Sequence, residues 1–136
     1  MENINEPVVT GVTAHIDRSH YRAIVKTGSH TIVSDEPLAI GGADAGPSPQ
    51  ELLLASLSSC TAITLRMYID RKMWVVDHIH VNVNLFDIDG GTLIKLKLSF
   101  EGELSDEQKK RLIQIASSCP IHKLLTGKIT IETNLA

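Results

Sequence analysis

Aromatic residues are scarce in this sequence, and several features that would indicate a special class of protein are missing. Phe, Trp and Tyr together make up 4% of the chain, so the core must be built from Leu, Ile, Val and Ala. A net charge of −3 argues against nucleic acid as the main partner. No run of about eighteen apolar residues occurs, because serines and threonines interrupt the most apolar stretch, residues 52–65. We therefore expect neither a nucleic-acid partner nor a membrane partner.

Residues 1–6 contain no basic segment leading into an apolar one, so no secretory signal is predicted. The chain has 136 residues, of which 43% are hydrophobic and 21% are charged, and this predicts one globular domain over residues 1–136. Two cysteines without a signal indicate reduced thiols in the cytoplasm. In that compartment paired cysteines are more often catalytic or metal-binding than structural.

Hydrophobic patterning predicts an α+β fold with the order βββ-α-ββ-α-β. Strands are indicated by β-branched runs or by an alternation of apolar and polar residues. The expected strands are residues 8–17, 21–27, 30–34, 78–85, 92–100 and 128–134. A second helix is expected to start after Ser105 and to end or kink at Cys119, because Pro120 disfavours helical geometry there.

A long apolar helix is the most informative predicted element. It follows a Gly- and Pro-rich loop over residues 35–49, and Ser48, Pro49 and Glu51 match a helix start with an S-x-x-E capping box. The helix is expected to run to about Lys72. Its first four turns are apolar on nearly every side, which indicates cover on all sides. One small sheet shields only one side, so we expect a homodimer.

The two cysteines are the strongest candidates for chemistry. Cys60 lies in the third turn of the long helix, and Cys119 lies at a helix end beside Pro120. Amide dipoles at the start of a new helical turn favour a thiolate, so the local sequence makes Cys119 the more acidic thiol. Cys60 would need a cation from elsewhere. The alternative is that both are buried small hydrophobic residues, as most cytosolic cysteines are.

Other polar groups are weaker candidates for a catalytic or metal-binding role. Glu51 is either a base near the thiol or only the third residue of its capping box. Cys119 and His122 have C-x-x-H spacing, but tetrahedral zinc needs four ligands, so we expect no metal and no other cofactor. Arg18 and Arg22 flank the first hairpin turn, where arginines are usually solvated. The Gly-rich loop at residues 41–46 lacks the ending of a P-loop.

Two stretches together resemble the OsmC/Ohr family, the osmotically induced proteins and organic hydroperoxide resistance proteins. They are residues 46–68, which include Cys60, and residues 118–125, Ser-Cys-Pro-Ile-His-Lys-Leu-Leu. Residues 30–42 also resemble one branch of the family, and the similarity covers roughly residues 20–133. The resemblance implies an OsmC-like fold, an intertwined homodimer with two long helices at its centre.

The resemblance also implies a thiol-dependent peroxidase that reduces organic hydroperoxides. By analogy Cys60 attacks the peroxide and becomes a sulfenic acid, Cys119 condenses with it to a disulfide, and an external dithiol restores both thiols. This assignment reverses the order of acidity that the local sequence favours. The alternative function is a non-catalytic small-molecule-binding module on the same fold.

One position departs from the family pattern. In well-studied members a glutamate follows the proline at the helix start and holds a catalytic arginine, whereas this chain has Gln50 there. The nearest carboxylate, Glu51, is one residue later, about 100° further around the helix. The arginine would be Arg18 or Arg22. Gln50 predicts a weaker hold on that arginine, and hence weaker activity or another substrate.

Overall fold

The computed structural model describes residues 7–136. By their contacts, the residues group into two compact units, one that ends at Leu52 and one that spans Leu53–Ala136. The first unit contains a sheet and a long loop, and the second contains a long hairpin and helices. The single domain expected from the sequence stays a prediction.

The first unit is built on a three-stranded antiparallel sheet in the order β1-β2-β3. Its strands are β1 (Thr13–His15), β2 (Ala23–Thr27) and β3 (His30–Ser34). The predicted hairpin between the first two strands forms, but β1 lacks residues 8–12, 16 and 17 of the expected strand, and β2 starts two residues later than expected. The bounds of β3 agree with the prediction.

A buried carboxylate organises the loop that follows β3. Asp35 is 1% exposed, and its two oxygens accept four backbone N–H hydrogen bonds. The donors are Tyr21, Glu36, Ala43 and Ala45, at 2.7 to 3.2 Å. The loop is so tightly folded around this group that a side chain at Gly42 would overlap the carbonyl of Glu36.

Replacing Asp35 with asparagine is expected to lower the thermal unfolding midpoint at neutral pH. Burial acts to raise the pKa of Asp35, but the N–H donors outweigh it and the pKa lies below its ordinary value. Asparagine keeps one oxygen but turns an NH₂ group toward N–H donors. Since the folded pKa is lowered, the stabilisation is present above the unfolded pKa and is lost as pH falls through the folded pKa.

Thermal unfolding followed by circular dichroism across the acid range checks this prediction. The variant should start from a lower midpoint and lose less of it on acidification than the wild type. Asp44→Asn is the matched control, because Asp44 is an exposed carboxylate of the same loop at a positive φ that asparagine tolerates. Equal midpoints for Asp35→Asn and Asp44→Asn would contradict the role given to Asp35.

The long helix α1 (Pro49–Lys72) has the predicted bounds. Its capping box forms: Ser48 Oγ accepts a hydrogen bond from the Glu51 N–H at 3.2 Å, and the Glu51 carboxylate accepts one from the Ser48 N–H at 3.0 Å. Two donors at the helix start are thereby satisfied. The same helix continues into the second unit.

The second unit pairs β4 (Val76–Ile88) with β5 (Gly91–Gly102) in one long antiparallel hairpin. Both strands extend beyond their predicted ends. The turn requires a positive φ of 80° at Gly90, a conformation that glycine adopts without strain. Half-buried residues alternate with exposed ones along both strands, so the hairpin has one packed face and one wet face, as the pattern predicts.

Two helices complete the second unit. Helix α2 (Asp106–Ala116) starts with the predicted capping box between Ser105 and Gln108. It ends three residues before Cys119, and α3 (Pro120–Thr126), a helix absent from the predicted order, follows. The apolar side chains of α1, α2 and β4 form the core of the unit. Its buried members are Leu65, Tyr68, Ile69, Val76, Leu112 and Ala116.

The predicted final strand is wrong for the single chain. Residues 128–134 are in neither a helix nor a strand, so the order is βββ-α-ββ-α-α. A strand needs a neighbour to satisfy its backbone groups, and no strand in residues 7–136 pairs with this segment. The apolar side chains that suggested the strand, Ile129 and Ile131, are 51% and 84% exposed.

Length and composition alone would allow α1 to cross a membrane, since the mean hydropathy of its most apolar window is 1.5. Core helices of soluble proteins meet the same criterion. Here Leu65 and Ile69 of α1 are fully buried in the core of the second unit. Its hydropathy is therefore weak evidence for a membrane span.

Candidate functional site

The structure brings the two cysteine side chains together, although they come from distant parts of the sequence. Cys60 lies in α1, and Cys119 immediately precedes α3 in the N-cap position. Both are free thiols, and they lie close enough for each to change the pKa of the other. Proximity of the two side chains is the first requirement for a disulfide between them.

The two sulfurs differ in their access to solvent. The Cys119 residue is 0% exposed, whereas Cys60 is partly exposed. Threonines of α1 lie beside the pair, Thr64 next to Cys60 and Thr61 next to Cys119. The Thr61 hydroxyl donates a hydrogen bond to the Leu57 carbonyl at 2.8 Å. A molecule that arrives from solvent therefore meets Cys60 first.

The pKa of Cys119 is lowered from its ordinary value. Burial alone would raise it, but the hydrogen bond from Cys60 and the backbone N–H groups of His122 and Ile121 outweigh burial. Neither N–H makes a full capping hydrogen bond, yet both point their partial positive charge at the sulfur. This agrees with the acidity that the local sequence predicts for Cys119.

The pKa of Cys60 is raised. Burial is the largest cause, and the hydrogen bond that its thiol donates to Cys119, with the negative charge there, adds to it. The Ile121 N–H and the Thr64 hydroxyl act in the opposite direction but do not outweigh these effects. Within the reduced pair Cys119 is therefore the more acidic thiol and Cys60 the less acidic one.

Gln50 and Glu51 occupy the first turn of α1, and both are exposed. The Glu51 carboxylate is held by its capping box with Ser48, whose N–H and hydroxyl lower the pKa of Glu51. These contacts give Glu51 a structural role as the third residue of the capping box, which is one of the two interpretations made from the sequence. Gln50 stays a predicted site residue.

Arg18 and Arg22 are exposed on the connection between β1 and β2 in the first unit. The hydrogen bonds from Ser19 are the main reason that the pKa of Asp17 is lowered, and the positive charge of Arg22 contributes. Both arginines thus have solvated side chains in the single chain. Activation of Cys60 by either one stays a prediction.

Three groups at the thiol pair were not singled out from the sequence: the Thr61 hydroxyl and the backbone N–H groups of Ile121 and His122. Pro120 is the available signal for the two N–H groups, since proline favours the first position of a helix and leaves the next N–H groups free. Thr61 directly follows Cys60, but its proximity to Cys119 depends on tertiary packing.

In the C-x-x-H pair, His122 acts on the Cys119 sulfur through its backbone N–H. Within the described part of the chain, no group of three or more His, Cys, Asp or Glu side chains is placed to hold a metal ion. The donor set at the thiol pair is therefore two sulfurs with hydroxyl and amide donors.

A separate cavity of about 570 Å³ lies between β5 and the α2–α3 region. Neither cysteine lines it. Its lining is mainly apolar and comprises Leu96, Leu98, Ser99, Phe100, Lys109, Ile113, Ala116, Ser117 and His122. The cavity is thus distinct from the thiol pair.

Comparison with known proteins assigns the chain to a family. Residues 41–134, more than half of the sequence, match the family described as OsmC-like protein. The chain belongs to this OsmC-like family. The match includes both cysteines and confirms the resemblance that their flanking motifs carry. A search of curated proteins gave no match.

Solved structures show the same fold. An OsmC-like protein from Mycoplasma pneumoniae is 24% identical, with a TM-score of 0.73 and 87% of each chain covered. An organic hydroperoxide resistance protein from Elizabethkingia anophelis is also 24% identical, with a TM-score of 0.65 over 91% of this chain and 92% of the other. A third, from Legionella pneumophila, is 20% identical, with a TM-score of 0.64 over 88% and 90%. At these identities the comparison shows the α+β OsmC-like fold.

Proposed function

We propose that this OsmC-like protein is a thiol-dependent peroxidase that reduces organic hydroperoxides. The observation that carries the proposal is the contact between two free thiols, one accessible and one buried. A peroxidase of this type needs one sulfur that the peroxide can reach and a second that can form a disulfide with it. Two of the structural relatives are organic hydroperoxide resistance proteins, which supports this reaction class.

The reaction begins at Cys60. Its thiolate attacks the terminal oxygen of the hydroperoxide; an S–O bond forms, the O–O bond breaks, and the alkoxide takes a proton to become an alcohol. The Cys60 sulfenic acid is then attacked by the Cys119 thiolate. An S–S bond forms, the S–O bond breaks, and hydroxide leaves and becomes water. An external dithiol reduces the disulfide and is itself oxidised to a disulfide.

The thiolate form of Cys60 requires a cation or donor beyond those in its own unit, because burial and the charge on Cys119 raise the pKa of Cys60. Arg18 or Arg22, held by Gln50, is the proposed source. A neutral amide holds a guanidinium less firmly than a carboxylate does, since charge-assisted hydrogen bonds are about twice as strong. We therefore expect a slower peroxidatic step than a glutamate at this position would give.

A homodimer and a cytoplasmic location complete the proposal. Ile63 and Met67 of α1 are 55% and 66% exposed in the single chain, and so are the apolar residues of the C-terminal segment. Apolar side chains on this scale indicate an interface. Two reduced thiols suit a reducing compartment that supplies a dithiol. Sedimentation at the mass of one chain would contradict the dimer.

Steady-state turnover tests the proposed function. The reduced protein is mixed with cumene hydroperoxide or tert-butyl hydroperoxide and with dithiothreitol, and loss of hydroperoxide is followed over the uncatalysed rate. Many molecules of hydroperoxide should be consumed per chain. Consumption no faster than dithiothreitol alone would refute the peroxidase and favour a binding module, whose ligand affinity alkylation of the thiols would leave unchanged.

A further inference from the structure

We propose that the wet face of the β4–β5 hairpin binds a divalent transition metal ion such as Zn²⁺ through the imidazole rings of His78 and His80, with the Glu101 carboxylate holding His80 in place. The proposal goes beyond the peroxidase function and does not depend on it, because neither cysteine takes part. The protein supplies two ligands to the ion, and water molecules fill the remaining positions. Such a site is open and exchanges its metal with solution.

The two histidines lie on the same side of β4. Successive side chains of a strand point to opposite faces, so residues 78 and 80 share one face and Ile79 lies on the other. Ile79 packs against the core of the second unit, whereas His78 and His80 are exposed. The core contact of Ile79 thus fixes both imidazoles on the wet face, where an ion from solvent can reach them.

The spacing of the two rings suits one shared ion. The ring centroids of His78 and His80 are 6.2 Å apart. With Zn–N bonds of about 2.0–2.1 Å and a tetrahedral angle, two bound imidazoles have centroids roughly 5 Å apart. Both side chains are exposed, so rotation about their own bonds can bring the rings together by the remaining distance.

Glu101 orients one of the two rings. It lies opposite His78 in the strand register, and its Oε2 reaches diagonally to within 2.7 Å of His80 Nε2. A carboxylate that is ionised at neutral pH only accepts hydrogen bonds, so His80 Nε2–H donates. Neutral His80 then keeps a free lone pair on Nδ1, which is available to a metal. Histidines that bind metals usually donate their other ring N–H to a carboxylate or carbonyl in this way.

The donor atoms determine which class of ion fits. Imidazole nitrogen suits Zn²⁺, Cu²⁺ and Ni²⁺, whereas Mg²⁺ and Ca²⁺ prefer sets of oxygen ligands. The negative charge of Glu101 favours a cation. Lys97, on the same face of β5, is four residues from Glu101, about 13 Å along the strand. That exceeds the Debye length of about 8 Å at physiological ionic strength, so Lys97 repels the ion only weakly.

A simple surface ion pair between His80 and Glu101 is the alternative explanation of their contact. The two side chains are 59% and 62% exposed, and such pairs contribute little to stability. The two explanations differ at His78. An ion pair does not involve His78, whereas a metal site requires it as much as His80.

Calorimetric titration with Zn²⁺ alone tests the site, on a chain without an affinity tag. The parent chain carries Cys60→Ser and Cys119→Ser, because thiolates also bind zinc. It should bind one ion per chain. Replacing either His78 or His80 with alanine should weaken binding by about tenfold or more, because the remaining imidazole loses the effective concentration of its neighbour.

Two further substitutions in this parent sharpen the test. Glu101→Gln should weaken binding by about tenfold, the usual cost of losing a group that orients a ligand. His30→Ala is the matched control, since it removes an exposed histidine from β3 and should leave the affinity unchanged. Absence of binding to the parent, or affinities of the His78 and His80 variants within about twofold of its value, would overturn the proposal.

A second measurement needs no substitution and covers the case in which the cysteine-free parent fails to fold. Ni²⁺ is paramagnetic and broadens the amide NMR signals of residues near it. In the unsubstituted chain, substoichiometric Ni²⁺ should broaden the signals of residues 78–80 and 99–101. Broadening confined to the surroundings of Cys60 and Cys119, or spread evenly over the exposed histidines, would overturn the proposal.

Discussion

Cys60→Ser is expected to reduce hydroperoxide consumption to the uncatalysed rate. The serine hydroxyl has nearly the shape of the thiol, but it neither ionises at neutral pH nor forms a sulfenic acid, so the first bond to oxygen cannot be made. Cys119 does not replace it, because Cys119 is 0% exposed. The loss should therefore be complete rather than partial.

Turnover of cumene hydroperoxide with dithiothreitol measures this effect. Ser59→Ala is the matched control, since it removes a hydroxyl from the adjacent exposed position. It should retain wild-type turnover and the wild-type thermal midpoint. Should Cys60→Ser instead keep a substantial part of the activity, the nucleophile has been misassigned.

The largest effect on stability is expected for Leu112→Ala. Leu112 is 0% exposed and belongs to the core in which α2 packs against α1 and β4. Truncation leaves a cavity in a close-packed region, and such changes cost about 2–5 kcal/mol. Its neighbour Ile113 is 62% exposed. Because Ile113 loses few contacts on truncation, Ile113→Ala should cost less than about 1 kcal/mol.

Urea denaturation of both variants checks this difference in the free energy of unfolding. The variants remove similar side chains from adjacent positions, so they differ mainly in burial. A cost for Ile113→Ala equal to that of Leu112→Ala would contradict the assigned core. If only Ile113→Ala proved costly, the exposed face of α2 would have to be covered in solution.

The local sequence was sufficient to predict the elements that are specified by neighbouring residues. The start of α1 follows from Pro49 and from Ser48 and Glu51, whose hydrogen bonds form as the capping box requires. The β4–β5 hairpin follows from alternation and from the glycine turn. In these cases the residues that specify the structure are neighbours in the chain.

Features that depend on residues far apart in the chain could not be predicted from the sequence. The four N–H donors to Asp35 come from three separate parts of the first unit, so a buried carboxylate could not be expected there. Residues 128–134 have strand patterning but no strand to pair with in the single chain. The pattern of apolar residues shows that a segment favours strand conformation, whereas strand pairing depends on which segment lies beside it.

The candidate site divides in the same way. The lower pKa of Cys119 was predictable from Pro120 and the turn that follows it. The contact between Cys60 and Cys119 was not, because it depends on how α3 packs against α1. The family resemblance implied that Cys60 and Cys119 form a pair. The structure adds that Cys60 is accessible and Cys119 is buried.

Stoichiometric oxidation tests directly whether Cys60 and Cys119 act as a peroxidatic pair. The fully reduced protein is mixed with one equivalent of cumene hydroperoxide and no reductant, and the products are analysed by peptide mass spectrometry. We expect each chain to consume one hydroperoxide and to acquire a disulfide between Cys60 and Cys119. Unconsumed hydroperoxide with both thiols still free would contradict it.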